Sequence, residues 1–389
     1  MSRLVRNRAT TVCAAVLALV LSACGAASTS SGGAGAGSGG AAVKLANAKI
    51  LDDPRSYEGP THAGLAGASI DPIATNPVQH LPVTVTDSQG TEVTVKDTSR
   101  ILALDLYGTL SQTVFDLGLG DDVVGRDLST QFKEARKLPL VTGEHSHELI
   151  AERITELNPS VIITDTSLGP WDVILQMRDA GIPVVVVSSH RGIDNIGSLT
   201  EQVADALGVT QAGKRLAKRS ERQVAATEKE IKAVAPQTVQ KKLRMVFLYV
   251  RGQAGVYYMF GEGSGADSLI DGVGGYDVAK EINWKGMKPV TDEGIVAAQP
   301  DLILMMTKGL DSVGGVDGLL KRLPAIADTP AGQKRRIVDM SDAAILGFGP
   351  RTPEVLNSLA VSIYAPESAI ADAPGDPFVS TTADSGTGS

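Results

Sequence analysis

The chain is poor in cysteine and aromatic residues, and beyond its first two dozen residues it has no long apolar run. Two cysteines occur in 389 residues, and 4% of the chain is aromatic. Both cysteines fall in the opening segment. Arg3, Arg6 and Arg8 form a basic start, "TVCAAVLALVL" is an apolar stretch too short for a stable span, and "LSAC" ends on Cys24. This pattern reads as a bacterial lipoprotein signal over 1–23, with cleavage before Cys24 and lipidation of its thiol. Cys13 leaves with the signal, so the exported chain has no disulfide available and must be held together by its core. Loss of the three arginines takes the formal charge from −8 to −11. Such an acidic chain is a poor match for nucleic acid. No later run approaches the roughly 18 apolar residues of a membrane span, which leaves the lipid as the expected anchor.

Residues 24–80 read as the lipidated cysteine followed by a flexible, then irregular, linker, and 366–389 as a disordered tail. The intervening residues alternate helix and strand signals after a hairpin, "LPVTVTDSQGTEVTVKD". Their strands are continuous apolar runs, as expected of parallel sheets covered on both faces. Residues 210–234 lack Pro, lack Gly after Gly213, and space their apolar residues as one long exposed helix. The pattern then restarts. "ERITELNPSVIITDT" from Glu152 and "EGIVAAQPDLILMMT" from Glu293 match at an offset of 141, and "RILALDLYG" and "RMVFLYVRG" at 144. The expected fold is two similar Rossmann-like α/β lobes, 81–209 and 237–365, joined by one long helix over 210–236. Ligands of open α/β sheets bind at the carboxyl ends of the strands, so facing lobes form a cleft suited to a solute.

Tyr249 and Arg251 lie two apart at the end of the first strand of the second lobe, on one face. The internal match puts Asp105 and Tyr107 at the same places in the first lobe. A phenol ordinarily titrates near ~10, but a trivalent cation beside it and a nearby guanidinium favour the phenolate. The plain alternative is a tyrosine capping the core edge beside a surface arginine. His145 and His147, in "TGEHSHELIAER", stand in a loop expected to open at the cleft. Neutral imidazoles ligate iron or zinc, and Glu144 and Glu148 would serve a zinc site. His190 is a further rim candidate. "GEGSGADSLIDGVGG" reads as a turn and helix start rather than a dinucleotide site. Arg351 opens a helix. Met287, Met305 and Met306 flank the same side. No Ser-His-Asp, Cys-His or paired-carboxylate arrangement stands out, so no enzyme activity is expected.

With "PVTVTDSQGTEVTV", "SRILALDL", "LGLGDDVVGRD", "ELNPSVII", "AGIPVVVV", "ADSLIDGVGG" and "QPDLILM", residues 81–365 resemble the iron-complex substrate-binding lipoproteins of ABC uptake transporters. These have the class III periplasmic-binding-protein fold, with a rigid connecting helix. "LYVRG" and "HELIAE" are similar to the haem-binding branch of that family. The resemblance implies Fe(III) haem b as transported ligand, with Tyr249 as one axial ligand and Arg251 hydrogen-bonded to its phenol. His147 is the implied second ligand, with His145 still open. It also implies an ABC permease and its ATPase as partners, a membrane held through the lipid, and haem-donating surface proteins upstream. Tyr107, Met287 and Met306 are expected near the ligand, and Arg191 and Arg351 at its propionates. Relatives often have tyrosine at the place of Met287. Where the family carries a permease-docking Glu this chain has Gln112, with Asp116 or Asp121 as substitutes, and Asp267 and Asp271 are the second-lobe counterparts. A ferric siderophore or cobalamin in the same cleft, a zinc-dependent surface hydrolase, and a ligand-free envelope scaffold are the alternatives.

Overall fold

The computed structural model describes residues 43–65 and 70–369. The signal, Cys24, the start of the linker and the tail from residue 370 lie outside them. The first part of the chain gives β1 (Thr61–Ala63), the hairpin β2 (Val83–Thr86) and β3 (Glu92–Val95), and β4 (Ile101–Leu104). Next come α1 (Thr109–Leu117), α2 (Ala151–Glu156), β5 (Val161–Thr164), α3 (Trp171–Asp179), β6 (Val184–Val186), α4 (Ile196–Ala206) and α5 (Thr210–Val234). The second half runs β7 (Arg244–Arg251), β8 (Val256–Phe260), α6 (Ala266–Gly272), β9 (Tyr276–Asp277), α7 (Val278–Glu281), β10 (Met287–Pro289) and α8 (Asp292–Ala298). It closes with β11 (Leu302–Met306), α9 (Thr307–Asp311), α10 (Gly315–Arg322), α11 (Pro330–Gln333), β12 (Ile337–Met340), α12 (Asp342–Ile345) and α13 (Thr352–Tyr364).

The first lobe holds a parallel sheet in the order β4-β5-β6. The second holds a larger mixed sheet, β1-β12-β11-β7-β8-β10, with β9 also on β7. The sequence repeat has a structural meaning here: β4, β5 and β6 correspond to β7, β11 and β12, joined in parallel in the same order. Beyond β7 the second lobe adds β8, antiparallel to β7, and then β10, antiparallel to β8. "DDVVGRD" forms isolated parallel bridges, Ile101 to Val123 and Arg126 to Leu140, rather than a full strand.

Strand alternation builds three apolar layers. In β4, Ile101 and Ala103 face the middle of the molecule while Leu102 and Leu104 face the outer helices, and all four are buried. In β7, Met245 and Phe247 point to the middle, and Val246, Leu248 and Val250 point outward. The middle cluster runs unbroken from Ile101 and Leu110 through Leu216, Val224 and Ile231 of α5 to Phe247, Leu304 and Val338. The two lobes and the joining helix therefore share one core.

The linker expectation fails at β1. Thr61–Ala63 lies in parallel register on β12, and Leu45 is buried in the shared core. Three residues are too few to show a period. Tertiary partners fix the strand: Arg336 donates to Thr61 Oγ1 at 2.9 Å, and His62 Nδ1 lies 2.7 Å from Asp339.

Candidate functional site

The carboxyl end of β7 carries the aromatic chemistry. Tyr249 and Phe247 share the inward face, and in the antiparallel register of β8 they stand opposite Tyr258 and Phe260. Phe260 stacks on both, with ring centroids 5.2 Å from Phe247 and 5.7 Å from Tyr249. β10 extends the same face outward by pairing Met287 with Phe260 and Pro289 with Tyr258. Phe247 is fully buried, Tyr249 and Tyr258 are half-buried, and Met287 is 61% exposed. The result is an apolar shelf that emerges from the core into the open.

Arg251 does not reach the phenol oxygen. Its guanidinium lies over the ring of Tyr249, 4.5 Å from the centroid, and Nη2 donates to Asp342 Oδ2 at 2.7 Å. The other Asp342 oxygen accepts from the backbone N–H of Lys308 at 3.0 Å, at the start of α9. Helix α9 lies hard against the strand: a Cβ on Gly309 would come within 2.9 Å of the Val250 carbonyl, so only glycine fits. The expected Arg–phenol hydrogen bond is thus replaced by stacking, because the carboxylate of Asp342 is the stronger partner.

Of the two loop histidines, one faces this constellation. His147 is half-buried, and its Nδ1 is buried without a hydrogen-bond partner. Burial lowers its pKa below the ordinary imidazole value, and the positive charges of Arg251 and Lys308 lower it further, against an opposing pull from Asp342. All three are second-lobe residues, so this first-lobe imidazole lies within reach of the charges at the end of β7, and burial with Arg251 and Lys308 disfavours its charged form. A short turn carries it, with Gly143 N–H donating to the Glu148 carbonyl at 3.0 Å. His145, Glu144 and Glu148 are exposed. His190 is also exposed, with Nε2 3.2 Å from Asp194. Among the described residues no three His, Cys, Asp or Glu side chains converge to hold a metal ion.

The propionate assignments need correction. Arg191 is buried, pairing with Asp105 at 3.2 Å and Asp165 at 2.5 Å beneath the ring of Tyr107, 5.1 Å away. Burial pushes Asp105 and Asp127 upward, and raises the Tyr107 phenol as well. A guanidinium placed to satisfy buried carboxylates is not free for a ligand, and Tyr107 is its cover. Arg351 is likewise buried, at the head of α13, where its charge acts on Asp116. Met306 is 8% exposed and Met305 fully buried, so both belong to the core.

The docking candidates also divide. Asp271 is exposed and paired with Lys280 at 2.6 Å, and Asp267 caps the turn into α6 by accepting from Gly263 and Gly265 N–H. Gln112 donates to Asp116 at 3.4 Å. Asp116 itself is buried and pushed up to about 6, so it offers no surface charge. Sequence reading missed Tyr258, Phe260, Lys308 and Asp342. The pairing of Tyr258 and Phe260 with β7 was available in "RGQAGVYYMF", a short glycine turn between two apolar strands. Nothing local marks Asp342, which lies 91 residues from Arg251.

The model of the periplasmic binding protein family matches residues 106–344, more than half of the chain. The chain belongs to that family. Among solved family members, the haem-binding protein HmuT is 38% identical over 80% of this chain and 99% of its own, with a TM-score of 0.75. Further structures of that protein have alanine in place of a tyrosine, of an arginine two positions later, and of a histidine. The apo haem-binding protein RhuT from Roseiflexus sp. RS-1 is 36% identical over 70% of this chain and 100% of its own, with a TM-score of 0.63. The chain is also similar to an uncharacterized ABC transporter substrate-binding lipoprotein, YvrC, of Bacillus subtilis, at 25% identity over 73% of this chain and 86% of that one. A cobalamin-binding protein of Halobacterium salinarum is 25% identical over 57% of this chain and 58% of its own length.

Proposed function

We propose that the protein is an extracytoplasmic haem receptor, lipid-anchored through Cys24, which delivers its cargo to an ABC permease and catalyses no reaction itself. The observation that supports this reading is Tyr249 with Arg251 on its ring, together with a half-buried His147 of the other lobe that feels the charge of Arg251. An iron(III) centre takes a phenol as phenolate and an imidazole as the neutral base, so the two lobes supply opposite axial ligands. The shelf of Phe260, Tyr258 and Met287 gives a flat macrocycle an apolar wall. On this reading Arg251 stabilises the phenolate from the ring face, and Asp342 holds Arg251 there.

Ferric haem with both propionates ionised carries net negative charge. Arg191 and Arg351 being buried, the propionates fall to Lys308, which is exposed beside Arg251 and has no ion-pair partner among the described residues. The similarity to haem-binding proteins over nearly the whole length of one of them supports the cargo. The cobalamin-binding relative supports a second reading with a different macrocycle.

Adding hemin to the purified protein and recording its visible spectrum tests both. The expected result is a stoichiometric complex with tyrosinate-to-iron charge-transfer absorption that disappears in Tyr249→Ala. Binding of cobalamin with no spectral response to hemin would overturn the haem reading in favour of the second.

A further inference from the structure

Helix α5 bears a feature unrelated to what the cleft holds. Its buried residues, including Leu216, Ser220, Val224 and Ile231, lie along one side. Opposite them Lys214, Arg215, Lys218, Arg222, Lys229 and Lys232 are all exposed. Projected at 100° per residue, these six fall within one stripe about 100° wide and about 27 Å long. No acidic residue enters it. Glu221 sits on the flank, its carboxylate packed so close to α4 that a Cβ on Gly197 would overlap it. Glu230 lies on the other flank, and Glu228 beside Glu221. Among the described residues, the one ion-paired base of the helix is Arg219, off the stripe and held by Asp71 and Asp116.

This arrangement runs against two ordinary tendencies. Lys214, Lys218 and Arg222 repeat at four-residue spacing, where like charges repel and a Glu would have stabilised the helix. The chain as a whole is acidic, with a formal charge of −8. A purely cationic ridge on an acidic molecule gives it a positive side. Topology fixes where that side is: α5 begins after α4 has run back from the ends of the first sheet, and it leads into the amino end of β7. The ridge thus belongs to the end of both sheets remote from Tyr249 and His147. It holds no aromatic residue to stack a base, which matches a flat polyanionic surface.

We propose that the outer face of α5 docks on anionic lipid headgroups of a bilayer, turning the cleft end outward toward incoming cargo. The test uses the chain from residue 25, which removes any lipid-anchored insertion. It keeps every described residue, the first of which is Val43. Co-sedimentation is measured with vesicles rich in phosphatidylglycerol and with pure phosphatidylcholine, at low and physiological salt. Binding to the first and not the second, weakening with salt, is expected.

Lys214→Glu/Lys218→Glu/Arg222→Glu should weaken it by about two orders of magnitude, from roughly fivefold per basic residue at an anionic surface. The matching glutamine triple, which relieves the helix of like-charge repulsion, should also weaken binding and guards against a folding artefact. Lys133→Glu/Lys137→Glu/Lys321→Glu, exposed elsewhere and equal in net charge, should bind nearly as the parent does. Equal loss in that control, unchanged binding in the ridge variants, or no preference for phosphatidylglycerol overturns the proposal.

Discussion

Each lobe sets an arginine against carboxylates at the carboxyl end of its sheet, and the two are treated in opposite ways. Arg191 in the first lobe has 3% of its side chain exposed, between Asp105 and Asp165 at 0%. Arg251 in the second has 31% exposed, against 18% for Asp342. A guanidinium locked among buried carboxylates cannot be exchanged for anything, since removing any member strands a charge in a dry place. One lying half in water over a tyrosine ring can alter its contacts at little cost. The first set fixes the shape of its lobe, and the second remains available to a ligand.

That contrast can be broken in order of expected size. Arg191→Met strands Asp105 and Asp165 and should cost about 3–5 kcal/mol in denaturant unfolding, whereas Arg251→Met should cost about 1 kcal/mol or less. Equal losses would erase the distinction between sealed and open pairs. Tyr249→Ala should weaken hemin binding by about a hundredfold or more, the effect of removing an axial ligand and its shelf contact, with the fold intact by circular dichroism. His147→Ala should follow at about tenfold in the same titration. His145→Ala, altering an exposed side chain, should leave affinity unchanged, and a reversal of that order would move the ligand to the other histidine. Lys308→Ala should cost a few-fold, as expected for one solvent-facing ion pair, and the loss should shrink in high salt.

The smallest effect is on pH dependence. Burial pushes Asp127 up to about 7, so the folded chain holds a proton that the unfolded chain has released. Stability of the ligand-free protein should therefore fall as pH rises from the ordinary carboxylate range toward 7. A melting-temperature profile should show that decline, made shallower in Asp127→Asn, with Asp105 and Asp116, which burial also raises, carrying the remainder.

These outcomes bear on what a sequence can and cannot display. β7 was legible because eight residues, buried on alternate sides, leave a pattern long enough to read, and α5 because its apolar spacing repeats over 25 residues. The spacing of Tyr249 and Arg251 was legible for the same reason: strand geometry puts them on one face. Arg191 was misread because burial is a property of what converges on a residue. Its two carboxylates come from positions 86 and 26 residues away, at the ends of other strands. β1 was missed for a related cause, since three residues become a strand only when β12 is there to receive them. The surroundings of His147 were not legible locally, since Arg251, Lys308 and Asp342 of the opposite lobe set its charge environment.

The unbroken apolar cluster from Ile101 through Leu216 to Leu304 has a mechanical consequence. It makes the two walls of the opening parts of one solid, so their spacing is set when the chain folds and not when cargo arrives. On the proposed reading, a rigid disc would enter between walls tied to one core, and little ordering of the protein would accompany its arrival. On that reading, unloading would meet the same stiffness from the other side, because the shared cluster ties the walls together.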